Sequence, residues 1–189
     1  MPVEGSGKFL TKSTKIEVFR KDTSVSIGYI YNSNGPAIGS LSQASSFVYA
    51  LPAGATSGAA LRFSLAGTTS ALGWQQVPAL VIRYPSSSSQ LSSSNLRTAA
   101  PYSVPISVGP DTVESDIWAI DTATGAVGWA WIAANGETPT TIWRVGGRLY
   151  PVGNLEIFLS ATGSSASNRY EVLFKLVTIK TRPRDPHYG

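Results

Sequence analysis

The stretch NLEIFLSATGSSASNRYEVLFKLVTIKTRPRDP, Asn154 to Pro186, decides the reading of the fold. Two β-rich runs, Leu155 to Ala161 and Tyr170 to Thr181, flank TGSSASN, a segment of small and polar residues that favours a loop. This arrangement predicts an antiparallel hairpin with a long connection. In its second arm Tyr170, Val172, Phe174 and Leu176 alternate with Glu171, Leu173, Lys175, Val177 and Ile179, so one face is apolar and the other mixed. Such a strand suits the middle of a sheet, with one face on a core and the other meeting something besides bulk water. Lys180, Arg182 and Arg184 follow, and Pro183 and Pro186 end any ladder because proline has no N–H to donate.

Outward from this stretch the chain reads as further short strands. Lys15 to Lys21, Ser24 to Tyr31, Ser46 to Leu51, Ala60 to Leu65, Pro78 to Tyr84, Tyr102 to Val108, Thr140 to Gly146 and Arg148 to Val152 all carry strand composition. The segment from Asp116 to Ile132 pairs two aromatic strands across TATG, with Gly125 as the positive-φ residue. Ser33 to Pro36 is a turn, Ser86 to Ser94 a serine-rich surface loop, and Asp111 to Asp116 an acidic loop. About ten strands at roughly 8–12-residue spacing, with no sustained helical period, make the protein all-β. An eight-stranded jelly-roll β-sandwich with additional short strands suits about 175 ordered residues better than an immunoglobulin-type sandwich of about 100. Residues 1–13 are small, polar or basic and read as a flexible basic N-terminal arm, leaving 14–189 as the jelly-roll domain.

Composition narrows the chemistry. The 189 residues include no cysteine and a single histidine, His187, so thiolate and imidazole catalysis and zinc sites of either kind are excluded, and no enzyme is expected. Charged residues are only 14% of the chain, against about 25% in ordinary domains, which lowers the desolvation cost when subunits meet. No run approaches the roughly 18 apolar residues that would span a bilayer, so no membrane partner is expected.

The charge that exists sits at the ends. Residues 1–21 and residues 169–189 each carry a net +3, while everything between them is net −2. Two basic ends on a nearly neutral body point to an anionic partner, with nucleic acid first. The candidate contacts are Lys8, Lys12, Lys15, Arg20, Lys21, Lys180, Arg182 and Arg184. These basic segments lack the interleaved aromatics of a base-stacking surface, and no sequence-reading module is present. Binding is therefore expected to phosphates, without sequence preference and sensitive to salt.

Two other clusters carry possible chemistry. Asp111, Glu114 and Asp116 offer hard oxygen ligands for calcium, and with Asp121 they are also the carboxylates a glycosidase would use, although no spacing in sequence fixes the separation such an enzyme needs. Trp118, Trp129, Trp131 and Trp143 serve core packing or subunit contact. In the alternative reading, a lectin-like carbohydrate-binding β-sandwich, Trp129 and Trp131 would form the sugar platform.

A basic N-terminus, a cysteine-free all-β body rich in Ser, Thr, Ala and Gly, and a long last strand near the C-terminus together resemble the single jelly-roll coat proteins of small icosahedral positive-strand RNA viruses. Val18-Phe19-Arg20-Lys21-Asp22 is similar to the opening strand of luteovirus-like members; tombusvirus and sobemovirus coat proteins belong to the same group. The basic N-terminus is lysine-rich here, with four lysines and one arginine in the first 21 residues, where that family carries arginine. The resemblance implies a capsid protein that self-assembles as a homo-oligomer of many copies around viral RNA. It implies residence in the virion, and in the host cytoplasm during assembly. It further implies that Lys15 to Lys21 and the terminal strand lie side by side, and that calcium sits between subunits at acidic loops such as Asp111 to Asp116.

Overall fold

The computed structural model describes residues 8–32, 36–68, 70–76, 89–94, 106–108, 111–114, 117–129, 131–133, 136–138, 141–145, 148–152, 155–161 and 169–178. The first half of the chain supplies β1 (Phe9–Arg20), β2 (Ser26–Asn32), β3 (Pro36–Gly39), β4 (Phe47–Pro52), β5 (Ser57–Leu61), β6 (Phe63–Leu65), β7 (Ala71–Gln76) and β8 (Ser89–Ser94). The second half supplies β9 (Ile106–Val108), β10 (Asp111–Glu114), β11 (Trp118–Asp121), β12 (Ala126–Trp129), β13 (Trp131–Ala133), β14 (Gly136–Thr138), β15 (Thr141–Val145), β16 (Arg148–Val152), α1 (Leu155–Ala161) and β17 (Arg169–Thr178). The protein is nearly all β, and fifteen of the described strands form one antiparallel sheet curled into a half-barrel. β13 and β14 pair separately.

The sheet grows from its two longest strands. β1 and β17 run antiparallel in an unbroken register from Thr14 opposite Thr178 to Arg20 opposite Val172. Each strand is then shared on its other edge. β1 carries β4 along Phe9–Thr14 and β2 along Glu17–Phe19, while β17 carries β15 along Arg169–Val172 and β12 at Phe174 and Lys175. One wing therefore runs β4-β6-β7 from β1, and the other runs β12-β11-β5 from β17. The β1·β2 pairing includes a bulge between Val18 and Phe19. Gly28 sits opposite Val18 with φ +128°, and a Cβ there would lie 2.6 Å from the Gly39 carbonyl oxygen, so only glycine lets β2 and β3 approach.

The two wings close over an aromatic core. Trp118 of β11 is fully buried, and its indole N–H donates to the Leu72 carbonyl on the opposite wing at 2.8 Å. Its ring lies 5.7 Å from Phe63, 6.4 Å from Trp129 and 6.2 Å from Phe174, so one side chain touches both wings and the central ribbon. Phe63 in turn contacts Phe47 and Tyr49 of β4 edge to face. The hairpin expected across TATG is present, with Trp118 opposite Trp129 and Gly125 at φ +76°. Asp121 accepts the Ala123 N–H in that turn at 2.8 Å, and this bond holds its carboxyl below the ordinary range.

Several sequence expectations change. Leu155–Ala161 is helix α1, not a strand, so β17 has no hairpin partner there. The run holds one β-branched residue among the helix formers Leu, Glu and Ala, Glu156 lies in the first turn, and the helix seats buried Phe158 5.8 Å from Tyr150 and 6.3 Å from Trp143. Phe9 to Ser13, expected in the flexible arm, instead pair with β4, from Phe9 opposite Pro52 to Ser13 opposite Val48. Ser89–Ser94, expected as loop, pairs along its whole length with β7, because a ladder needs only backbone N–H and C=O. Asp111–Glu114, expected as an acidic loop, is strand β10 between β7 and β9. The strand predicted at Pro78 to Tyr84 lies outside the described residues.

If the faces of the central ribbon are as described, replacing buried Phe174 with alanine costs about 3–5 kcal/mol in urea unfolding. Leu173→Ala, one residue away but 41% exposed, costs under about 1 kcal/mol. Equal costs would show that the alternation has been assigned to the wrong face.

Candidate functional site

The ribbon sorts its charges by strand alternation. Thr14, Ile16 and Val18 of β1 and Val172 and Phe174 of β17 face the core. Lys15, Glu17 and Phe19, with Leu173, Lys175 and Val177, therefore form the outer face, where Glu17 stands opposite Lys175 and Phe19 opposite Leu173. The Lys175 ammonium lies 5.1 Å above the Phe19 ring. Lys15 is spent on structure: its Nζ donates to the Ala44 carbonyl at 2.7 Å and the Leu41 carbonyl at 3.3 Å, fastening the turn before β4.

A denser cluster forms where β1 ends beside the start of β17. Arg20 donates through Nε and Nη2 to Asp22, at 3.0 and 2.6 Å, and its guanidinium stacks 4.2 Å from the Tyr170 ring centre. Arg144, in register with Tyr170 across β15, lies 5.7 Å from the same ring and donates through Nη1 to the Tyr170 hydroxyl. Lys21 pairs with Glu171 at 2.8 Å, and Arg169 donates to the Leu159 carbonyl of α1 at 3.0 Å. A cavity of about 490 Å³ opens here, lined by Arg20, Lys21 and Arg169, by Trp143 and Tyr170, and by the carboxylates Asp22 and Glu171.

The Arg20 hydrogen bonds hold the Asp22 carboxyl below its ordinary range, and Asp22 raises the guanidinium in return. A depressed carboxyl stabilises the fold above its unfolded-state value, and that contribution is lost as pH falls through the folded-state value. The pair is exposed, so it is weak in water and open to exchange with another anion.

The expected phosphate contacts therefore do not form one patch. Lys8 is exposed at the start of β1, and Lys12 is half-buried beside Tyr49. Both are far from Arg20 and Lys21, since the eight residues from Lys12 to Arg20 span roughly 26 Å of strand. β17 runs antiparallel, so its start brings Tyr170 and Glu171 to Arg20 and Lys21, and its end at Thr178 lies beside Thr14. Lys180, Arg182 and Arg184 lie outside the described residues.

The aromatics missing from the basic segments in sequence are supplied in space by Trp143 and Tyr170. Neither these two nor Arg144 and Arg169 were among the expected contacts, because only the β15·β17 register brings them to Arg20. Of the expected calcium ligands, Asp111 and Glu114 stand on β10 and Asp116 lies outside the described residues. Among the described residues no three acidic or histidine side chains converge as a metal group. Of the tryptophans considered for a sugar platform, Trp129 packs against Trp118 and Phe174. No known protein family, curated protein or solved structure matches this chain.

Asp22 and Glu171 each hold a cation that would otherwise face solvent. The double substitution Asp22→Asn with Glu171→Gln should retard elution from a polyanion column and steepen the fall of affinity with salt. Unchanged elution would mean that this cluster does not meet the polyanion.

Proposed function

We propose that this chain is the subunit of a viral coat, a jelly-roll capsid protein of which many copies close into an icosahedral shell around RNA. The observation that carries the reading is the β1·β17 ribbon, which joins Lys15–Arg20 to Val172–Val177 and so sets the first and last described strands side by side. RNA is held through phosphates by Lys8, Lys12, Arg20 and Lys21, joined by Lys180, Arg182 and Arg184, without sequence preference. Lys15 contributes its charge to that field while its ammonium stays on the Ala44 carbonyl.

Assembly draws on a different part of the surface. The body carries few charges, and Phe9, Val25, Leu41 and Leu173 are large apolar side chains more than two-fifths exposed, each able to bury area against a neighbour. Repeated contacts between unlike patches close into a shell when their rotation closes. In this reading the protein is structural, catalyses nothing, and acts in the virion and in the host cytoplasm while particles form.

Light scattering and electron microscopy of the purified protein at neutral pH test the proposal. Closed particles that protect RNA from nuclease are the expected result. A strictly monomeric 20.0 kDa species at every salt and calcium concentration would contradict it.

A further inference from the structure

We propose that the cavity beside Arg20 and Tyr170 binds one nucleotide, with its base against Trp143 and its phosphate on Arg20, Lys21 and Arg169. The inference deepens the RNA reading above and rests on it only for the polymer as the source of that nucleotide.

Size and charge both fit. The cleft is open to solvent, and its volume of about 490 Å³ has room for a nucleotide, small-molecule sites being roughly 300–1,000 Å³. Three cations, Arg20, Lys21 and Arg169, line the cavity against the two carboxylates Asp22 and Glu171, and Arg144 lies against the Tyr170 ring. Arg144 Nε is buried without a hydrogen-bond partner among the described residues, behind the Tyr170 ring.

The donors a phosphate needs remain in place. Asp22 takes Nε and Nη2 of Arg20, which leaves the N–H groups of Nη1, and the Lys21 ammonium has two more protons beyond the one on Glu171. Both acids are already paired, so an entering phosphate meets the outer side of each cation.

The aromatic wall is rigid. The Trp143 indole N–H is held by Thr141 Oγ1 at 3.1 Å, and Phe158 braces the ring at 6.3 Å, so little freedom is lost when a base stacks on it. Tyr170 is already covered by the Arg20 guanidinium, and Trp143, opposite Glu171 in the β15·β17 register, lines the cavity from the other side of the strand, which leaves Trp143 as the platform. Stacking on an indole accepts any base, so the site carries no sequence preference of its own.

Calorimetric titration with adenosine 5′-monophosphate, inorganic phosphate and a ten-residue adenosine oligoribonucleotide tests the site on the intact protein. The monophosphate should bind more tightly than phosphate. Trp143→Leu should weaken both nucleotide ligands about tenfold while leaving phosphate binding unchanged, and Trp143→Phe should restore most of the loss. Lys21→Gln should weaken all three. Should Trp143→Leu fail to fold, tryptophan fluorescence decides: the monophosphate should quench the native protein, phosphate should not, and the quenching should be lost in Trp143→Phe. Nucleotide binding no tighter than phosphate, or indifferent to Trp143, overturns the pocket; salt-sensitive oligonucleotide binding in that case leaves the coat-protein reading standing. Trp143-dependent binding of the monophosphate without any binding of the oligonucleotide keeps the pocket and removes RNA as its source.

Discussion

The structure depends on the backbone ladder between the two ends of the chain. From Thr14 opposite Thr178 to Arg20 opposite Val172, β1 and β17 pair residues more than 150 positions apart. The ladder is reinforced by Thr14, whose buried hydroxyl donates across it to the Val177 carbonyl at 3.1 Å. Every other part of the main sheet hangs from an outer edge of this pair, β4 and β2 on one side and β12 and β15 on the other. Closing so long a loop adds only a logarithmic entropy cost, but contacts this remote form slowly.

The same ladder decides what each cation does. Antiparallel pairing sets Lys175 across from Glu17 and brings Tyr170 to Arg20, while Lys12 stays beside β4 at the far end of β1. Charge that looks like two equivalent basic segments in sequence becomes an outer face of balanced pairs and one dense cluster around Tyr170. Lys15, the most central candidate, is committed to the Ala44 and Leu41 carbonyls. Arg20 and Lys21 are paired at the surface, where a phosphate competes with a carboxylate on nearly equal terms.

Strand alternation made much of the fold legible. Val172 and Phe174 are buried where the period-two pattern puts them, and the Trp118–Trp129 hairpin turns at Gly125. The failures share one cause, since composition describes side chains and a ladder is made of backbone. Ser89–Ser94 carries no strand signal yet completes β7, and Asp111–Glu114 reads as a solvated loop yet joins β7 to β9. Leu155–Ala161 alternates well enough for a strand, but what it needs is to seat Phe158 over Tyr150 and Trp143, which a helix of about two turns does. The candidate site was half legible. Arg20 and Lys21 stood out by charge, whereas Trp143, Arg144 and Tyr170 acquire meaning only through the β15·β17 register.

A chain without cysteine allows the register of the ribbon to be read covalently. Residues directly opposite in an antiparallel pair have Cα atoms about 4.5–5.5 Å apart, within the range a disulfide bridges. Glu17→Cys with Lys175→Cys should cross-link within one chain on mild oxidation, because these outer-face positions are register partners. Lys15→Cys with Glu171→Cys, six residues out of register, should not. Failure of the first pair, or equal cross-linking of the second, would contradict a protein built on the union of its two ends.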